Sequence, residues 1–360
     1  MRETQVRKPP HLCVTVVIPA FNVSRHIGQV IAGLPSWIDH VIVVDDCSTD
    51  NTAAVALASA HPKVQLLRRE KNGGVGAASK TGFREALRVG ADVVVKMDGD
   101  DQMDPAQLAR LVAPLIQGQA DYTKGNRFRN TTALRAMPFW RRLGNIVLSF
   151  LAKLASGYWD VFDPTNGYTA IRREALSALR FDHVADRYFF EMSMLVELNL
   201  VNACVRDVYM PSRYGDENSS LRISKVLVSF PPKLFTAALA RIRDKYFVYD
   251  FTPVSLFIVA SLPLLAIGFF LGVKYWHHSI VTGIPTTAGQ VMLAVLPLLL
   301  GFQLLLQAFV IDISAVPRVS SFGVPGHARP EQPEQGILEL AAGIQDTSSE
   351  ASSEPRAHLT

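Results

Sequence analysis

Asp98 and Asp100 are the residues whose type and spacing most directly imply chemistry. They follow an apolar run at 91–95 that reads as a buried strand, and they precede Pro105, a good first residue for a helix. Two residues apart at the end of a strand, their carboxylates point the same way. They repel unless a cation lies between them, and such oxygen ligands suit Mg²⁺ or Mn²⁺. Gly99 lets a further group approach closely, a pyrophosphate for example. The stretch equally fits an acidic turn, with Asp104 as the N-cap of the next helix. Asp101 and Asp104 read as structural.

Other turns lie on the same predicted edge. Pro19-Ala20-Phe21-Asn22 and Asp45-Asp46 each end an apolar segment. A nucleotide needs an acceptor for its base, a surface for its ring and a cation for its diphosphate, and these turns can supply them. Asn72-Gly73-Gly74-Val75-Gly76 lacks the Gly-Lys-Ser/Thr ending of a P-loop and does not match G-x-G-x-x-G. It also reads simply as a turn into a helix.

Strands are expected at 13–18, 40–44, 64–67 and 91–97, alternating with helices. Ser24 and Asp50 are candidate caps for the first two helices. This alternation predicts an α/β fold with a doubly wound, mostly parallel sheet, covered by helices on both faces. No internal repeat is visible.

The chain has 360 residues, with 49% hydrophobic residues and a formal net charge of +4. Its mean hydropathy is +0.17. So small a charge excess implies no general affinity for nucleic acid. Cys13, Cys47 and Cys204 match no metal or disulfide spacing, which fits a reducing compartment. The first ten residues do not resemble a signal peptide, so the first domain is expected in the cytosol.

Four motifs in order resemble the family 2 glycosyltransferases of GT-A fold. They are Val17-Ile18-Pro19-Ala20-Phe21-Asn22, Val43-Val44-Asp45-Asp46-Cys47-Ser48-Thr49-Asp50, the glycine turn through Ala78, and Asp98-Gly99-Asp100 with Gln102. The resemblance implies that Pro19 and Phe21 flank the base, Asp46 accepts from it, and Asp98 with Asp100 hold the metal on a nucleotide sugar. Asn22 and Gln102 join that donor set. Relatives often carry a basic residue where this chain has Val75, so Lys80 is the candidate for contacting the donor.

Gly125-Asn126-Arg127-Phe128 resembles a family segment in which Arg127 contacts phosphate, a task suited to its planar fork. Asp163-Pro164-Thr165-Asn166-Gly167-Tyr168 resembles the acceptor-side segment. The late loop from Arg213 to Ser220 is similar to one in the polyprenyl-phosphate branch, which includes dolichol-phosphate mannose synthases and undecaprenyl-phosphate glucosyltransferases. Other readings are a salt-bridged surface arginine at 127 and an Asx-turn before Pro164. The resemblance implies an acceptor phosphate held by Arg127, Arg213 and Ser219. Asp163 would aid or orient it, Asp100 would share the catalytic work, and one displacement would invert the sugar carbon.

The membrane pattern is local. Leu143, Ile146, Val147, Phe150, Leu151 and Leu154 form one helical stripe, and Leu234, Phe235, Ala238, Leu239 and Ile242 form another. Either stripe can face a core. Basic residues and its place before an apolar run favour an interfacial position for the second. Phe251 to Val273 and Gly289 to Ile311 are each long enough to span a bilayer of about 30 Å. Arg241, Arg243 and Lys245 before them and Arg318 after them, against Lys274 between, predict a cytoplasmic catalytic domain and tail. A bacterial-type inner membrane is the expected location. Gln303 and Gln307 share a helix face and can join spans of two copies, giving a homo-oligomer.

The expected organisation is a tail at 1–12, a GT-A catalytic domain at 13–222 with an interface helix at 138–156, and juxtamembrane amphipathic helices at 223–250. Transmembrane helices follow at 251–276 and 288–316, then a disordered tail at 325–360. The expected activity is transfer of a UDP- or GDP-linked sugar to a polyprenyl phosphate. A polysaccharide acceptor is the alternative, although the chain lacks the Gln-x-x-Arg-Trp motif of processive synthases. A catalytically silent membrane scaffold is the other. The sequence leaves the sugar open.

Overall fold

The computed structural model describes residues 11–59, 62–127, 139–210 and 223–323, with backbone only for 139–145 and 223–229. A seven-stranded sheet has the order β3-β2-β1-β4-β6-β5-β7. The first four strands are β1 (Val14–Ala20), β2 (His40–Asp45), β3 (Val64–Arg68) and β4 (Val93–Lys96). They pair in parallel, as expected. The sheet then turns mixed: β6 (Thr169–Arg172) runs antiparallel to both β4 and β5 (Tyr122–Asn126), and β7 (Val205–Tyr209) is parallel to β5.

Every residue of β1 is buried. Its alternation explains why: Val14, Val16 and Ile18 enter one core, while Val17 enters the other. The first core is closed by α1 (Ile27–Ala32) and α4 (Leu108–Ile116), with α2 (Thr52–Ala58) beside them. The second is closed by α3 (Val75–Arg88), α6 (Arg173–Ala178) and α7 (Phe190–Leu200). Two covered faces are what continuous apolar strands require.

β1 lies between β2 and β4, so the chain leaves it in opposite directions and opens a crevice at the carboxyl edge. Register brings Ala20 beside Asp45, and Asp45 beside Arg68. The turns that follow therefore share one edge.

The caps differ in part from expectation. Asp104 does cap the next helical turn, accepting from the Ala106 N–H at 3.1 Å. Asp50 is not itself the cap residue of the second helix, which is Asn51, but from one position earlier it accepts from the Thr52 N–H at 3.0 Å. Ser24 caps nothing: its N–H bonds to Asp50 at 3.1 Å and the first helix begins only at Ile27.

Beyond the sheet, α5 (Phe139–Ser156) and α8 (Ile223–Arg243) pack on α7 through Ala152, Ala155, Met192, Phe230, Leu234 and Ala238. The two sequence stripes are thereby split. Leu234 and Ala238 are buried, whereas Ile146, Val147, Phe150, Phe235 and Leu239 remain exposed. A π-helical turn, Asp244–Tyr249, leads to α9 (Pro253–Thr282) and α10 (Ala288–Ser314).

Both α9 and α10 are long and apolar enough to cross a membrane. The first runs six residues past its expected end at 276. They approach closely at Gly268 and Gly301, where an added Cβ would lie 2.8 Å from the Ala294 carbonyl and 3.0 Å from that of Ser261. Gln303 and Gln307 lie exposed on α10. The chain then returns to the sheet: Ser320 and Ser321 bond to Asp121, and Arg172 donates to Ser320 and to the Gly323 carbonyl.

Candidate active site at the carboxyl edge of the sheet

A cleft of about 390 Å³ opens at this edge. Pro19, Ala20, Phe21 and Val23 line it from the turn after β1, Asp46 from that after β2, and Asp98, Gly99 and Asp100 from that after β4. Asn72, Gly74, Val75 and Ala78 line it from the glycine turn and α3, and Arg187 with Tyr188 from the segment before α7. The three turns singled out in the sequence therefore meet around one cavity. Phe21 is 46% exposed there, an open aromatic face.

Asp46 is 2% exposed and anchors the glycine turn. It accepts from the N–H of Gly73 at 3.1 Å and of Gly74 at 2.7 Å, and it pairs with the Arg69 guanidinium. Bonds from donors on a fixed backbone lock its orientation. Gly74 has φ +96°, a conformation L side chains rarely adopt. An added Cβ at Gly76 would meet the Ala185 carbonyl at 2.3 Å. The glycines thus let the segment before α7 lie directly on α3, where the Ala77 N–H donates to the Asp186 carbonyl at 3.0 Å.

Lys80 belongs to that same anchorage. Its Nζ is 2.6 Å from Asp186 Oδ1 and 2.8 Å from the Val184 carbonyl, and it does not line the cleft. The sequence expectation of a donor contact gives way to a lysine that pins the wall carrying Arg187 and Tyr188. Asn22 is also diverted: its Oδ1 accepts from Thr49 N at 2.9 Å, joining two turns. Gln102 is exposed outside the cleft lining, and its backbone N–H donates to Asp100 at 3.2 Å.

Asp98 meets a residue to which the sequence reading assigned no role. Lys96 is 1% exposed, and its Nζ lies 2.7 Å from Asp98 Oδ1, 3.4 Å from Glu191 Oε1 and 3.3 Å from the Gly167 carbonyl. Burial presses this ammonium towards neutrality, yet Asp98 and Glu191 outweigh it and hold Lys96 above its ordinary value. Strand alternation was the available signal, because it sets Lys96 and Asp98 on one side.

Among the described residues no group of three or more His, Cys, Asp or Glu forms a metal cage. Two carboxylates in an open cleft do fit a Mg²⁺-like ion, which commonly takes one or two carboxylates and completes its shell with substrate phosphates and water.

Arg127 and Asp163 form a separate pair. Arg127 Nε donates to Asp163 Oδ2 at 2.9 Å, and Asp163 is wholly buried. Neither lines the cleft. Asp163 therefore orients Arg127 and does not face the donor cavity. Behind it, burial pushes Lys124 down to about 8 and Asp207 up to about 6. Arg213 and Ser219 lie outside the described residues.

A mostly parallel sheet covered on both faces, with paired aspartates at its switch-point crevice, defines a GT-A fold. The chain belongs to glycosyltransferase family 2 and is a glycosyltransferase. The profile "Glycosyl transferase family 2" matches residues 15–180. The chain is 30% identical over 237 residues to the UDP-N-acetylglucosamine–dolichyl-phosphate N-acetylglucosaminyltransferase of Methanococcus voltae, covering 60% of this chain and 92% of that one. It is 36% identical over 190 residues to the polyprenol monophosphomannose synthase of Mycolicibacterium smegmatis, covering 50% and 69%. Among solved structures, glucosyl-3-phosphoglycerate synthase of Mycobacterium tuberculosis, in complex with Mn²⁺, UDP and glucosyl-3-phosphoglycerate, matches with 24% identity and a TM-score of 0.47. That match covers 64% of this chain and 80% of the other.

Proposed function

We propose that the protein transfers a sugar from a nucleotide-diphosphate donor to a polyprenyl phosphate at the cytoplasmic face of a membrane, with inversion and with Mg²⁺ or Mn²⁺. The observation that carries this reading is the union, in one compact unit, of the aspartate-bearing cleft with a pair of long apolar helices. Relatives named for dolichyl-phosphate and polyprenol transfer support the lipid acceptor. The exposed apolar residues of α5 and α8, with Phe247, Val248 and Phe251 just ahead of α9, give the catalytic domain a surface suited to the bilayer boundary.

In this reading Pro19 and Phe21 hold the base, while Asp98 and Asp100 hold the cation. When bound, that ion offsets charge developing on the leaving diphosphate. The acceptor phosphate oxygen attacks the sugar carbon from the opposite side, the bond to the diphosphate oxygen breaks, and the nucleoside diphosphate departs. A phosphate is already nucleophilic at neutral pH, so the chain's task is orientation. Arg127 steers the acceptor phosphate, and Asp163 holds Arg127. Docking of Ser320 and Ser321 on Asp121 supports a hairpin with both ends on the catalytic-domain side. Arg243, Lys245 and Arg318 favour the cytoplasm for that side.

The test offers membranes a panel of labelled UDP- and GDP-sugars and extracts the product. Label should enter the organic phase and be lost with Asp98→Ala or Asp100→Ala. Product found only in the aqueous phase would remove the lipid acceptor, and undiminished transfer by both variants would remove the metal assignment.

A further inference from the structure

Lys96 closes a strand of valines, where packing alone has no use for a charge. Burying an ammonium is costly unless it is paired and fully hydrogen-bonded. Here its three donors have three acceptors, on Asp98, Glu191 and the Gly167 backbone. Gly167 is part of the arrangement: an added Cβ there would stand 2.7 Å from Lys96 Nζ and 2.8 Å from Asp98 Oδ2. The turn at 163–168 thus presses against both partners of the ion pair.

We propose that Lys96 is a positioning residue for the transfer reaction. It fixes the Asp98 carboxylate through Oδ1, so that Oδ2 is presented to the divalent cation, and it ties that carboxylate to Glu191 at the start of α7. The turn just before α7 carries Arg187 and Tyr188, so one buried ammonium sets the metal side of the cleft against its opposite wall. This inference rests on the metal reading above.

Two effects of Lys96 on a cation oppose each other. Its charge repels the ion, whereas its hydrogen bond holds the ligand in place. Outer-shell partners of metal ligands are worth about 10- to 100-fold in metal affinity, so orientation is expected to win. The sign of the change separates the two.

The experiment titrates Mn²⁺ into the purified full chain in detergent and reads free Mn²⁺ by electron paramagnetic resonance, with thermal unfolding in parallel. Lys96→Met should weaken Mn²⁺ binding by about tenfold. Added to Asp98→Asn it should produce no further change, because Lys96 acts through Asp98. Gly167→Ala keeps the ammonium and displaces the pair; it should weaken binding similarly and carries the test if Lys96→Met does not fold. Unchanged or tighter binding by folded Lys96→Met would overturn the proposal, as would a full effect persisting on the Asp98→Asn background. If the unsubstituted protein takes up no Mn²⁺, the metal reading itself fails, and the positioning role falls with it.

Discussion

Arg241 and Asp312 meet as a two-pronged ion pair, at 2.9 and 2.8 Å, where the juxtamembrane helix crosses the end of the second apolar helix. The Tyr246 hydroxyl also donates to Asp312, at 2.6 Å. Arg241 donates further to the carbonyls of Leu154 and Ala155, both at 3.2 Å. Arg241 Nη1 also donates to Asn199 Oδ1 at 3.4 Å, so four helices, α5, α7, α8 and α10, are joined at one guanidinium. In the sequence Arg241 was one of the basic residues that precede the first apolar run; in the structure its side chain is wholly buried.

Removing one partner of such a pair strands a buried charge. Asp312→Ala is expected to cost on the order of 3–5 kcal/mol, read as a lower unfolding temperature in detergent. Arg241→Met with Asp312→Leu should recover much of that loss, because the stranded charge goes too. A double variant as unstable as the single would show that the hydrogen bonds to Leu154 and Ala155 dominate.

Gly76→Ala tests the contact between α3 and the segment bearing Arg187 and Tyr188. A Cβ 2.3 Å from a carbonyl oxygen cannot be accommodated without moving backbone. The expected cost is about 1–3 kcal/mol in stability. Affinity for the nucleoside diphosphate should fall as well, because the displaced segment is one wall of the cleft. Calorimetric titration with UDP and GDP reads the second effect; unchanged affinity would detach Arg187 and Tyr188 from the donor site.

The four parallel strands and the cleft's floor were legible because each strand is a short apolar run ended by polar turn residues. Pro19, Phe21, Asp46, Asp98 and Asp100 all reached the cavity for that reason. What stayed hidden depended on contacts across long separations. β6, the four residues Thr169–Arg172, is too short to announce a strand, so the antiparallel switch was not visible. Arg187 and Tyr188 enter the cleft only because Gly74, Gly76 and Lys80 bring their segment onto α3. Lys96 was visible by alternation but drew no inference, since a lysine beside an acidic motif looks like an ordinary surface charge. Asp312 sits 71 residues from Arg241, and nothing in either neighbourhood names the partner.

Asp163→Asn separates orientation from chemistry. The amide keeps one acceptor for Arg127 Nε and loses the charge. If Asp163 works by holding Arg127, turnover should fall roughly tenfold with the donor KM nearly unchanged and the acceptor KM raised. A loss confined to kcat, with both KM values intact, would assign Asp163 to the reacting atoms instead.

Asp207 sets a pH dependence whose sign can be stated in advance. Burial raises its carboxyl from 3.8 to about 6, even though the Phe162 N–H and the Asn126 amide both donate to Oδ2. The other oxygen, Oδ1, is buried without a hydrogen bond. Between pH 4 and 6 the native state therefore keeps a proton that the unfolded chain has released. Stability falls as pH rises through this window, by on the order of 2–3 kcal/mol in total. Asp207→Asn retains an oxygen for both donors and removes the titration. It should match the natural protein near pH 4, exceed it above pH 6, and flatten the slope of unfolding temperature between them. Lys124 stays charged across this range, since burial lowers it only to about 8, so the slope there reports the carboxyl. An equal slope in both proteins would mean that Asp207 is ionised throughout and that its charge is met by Lys124.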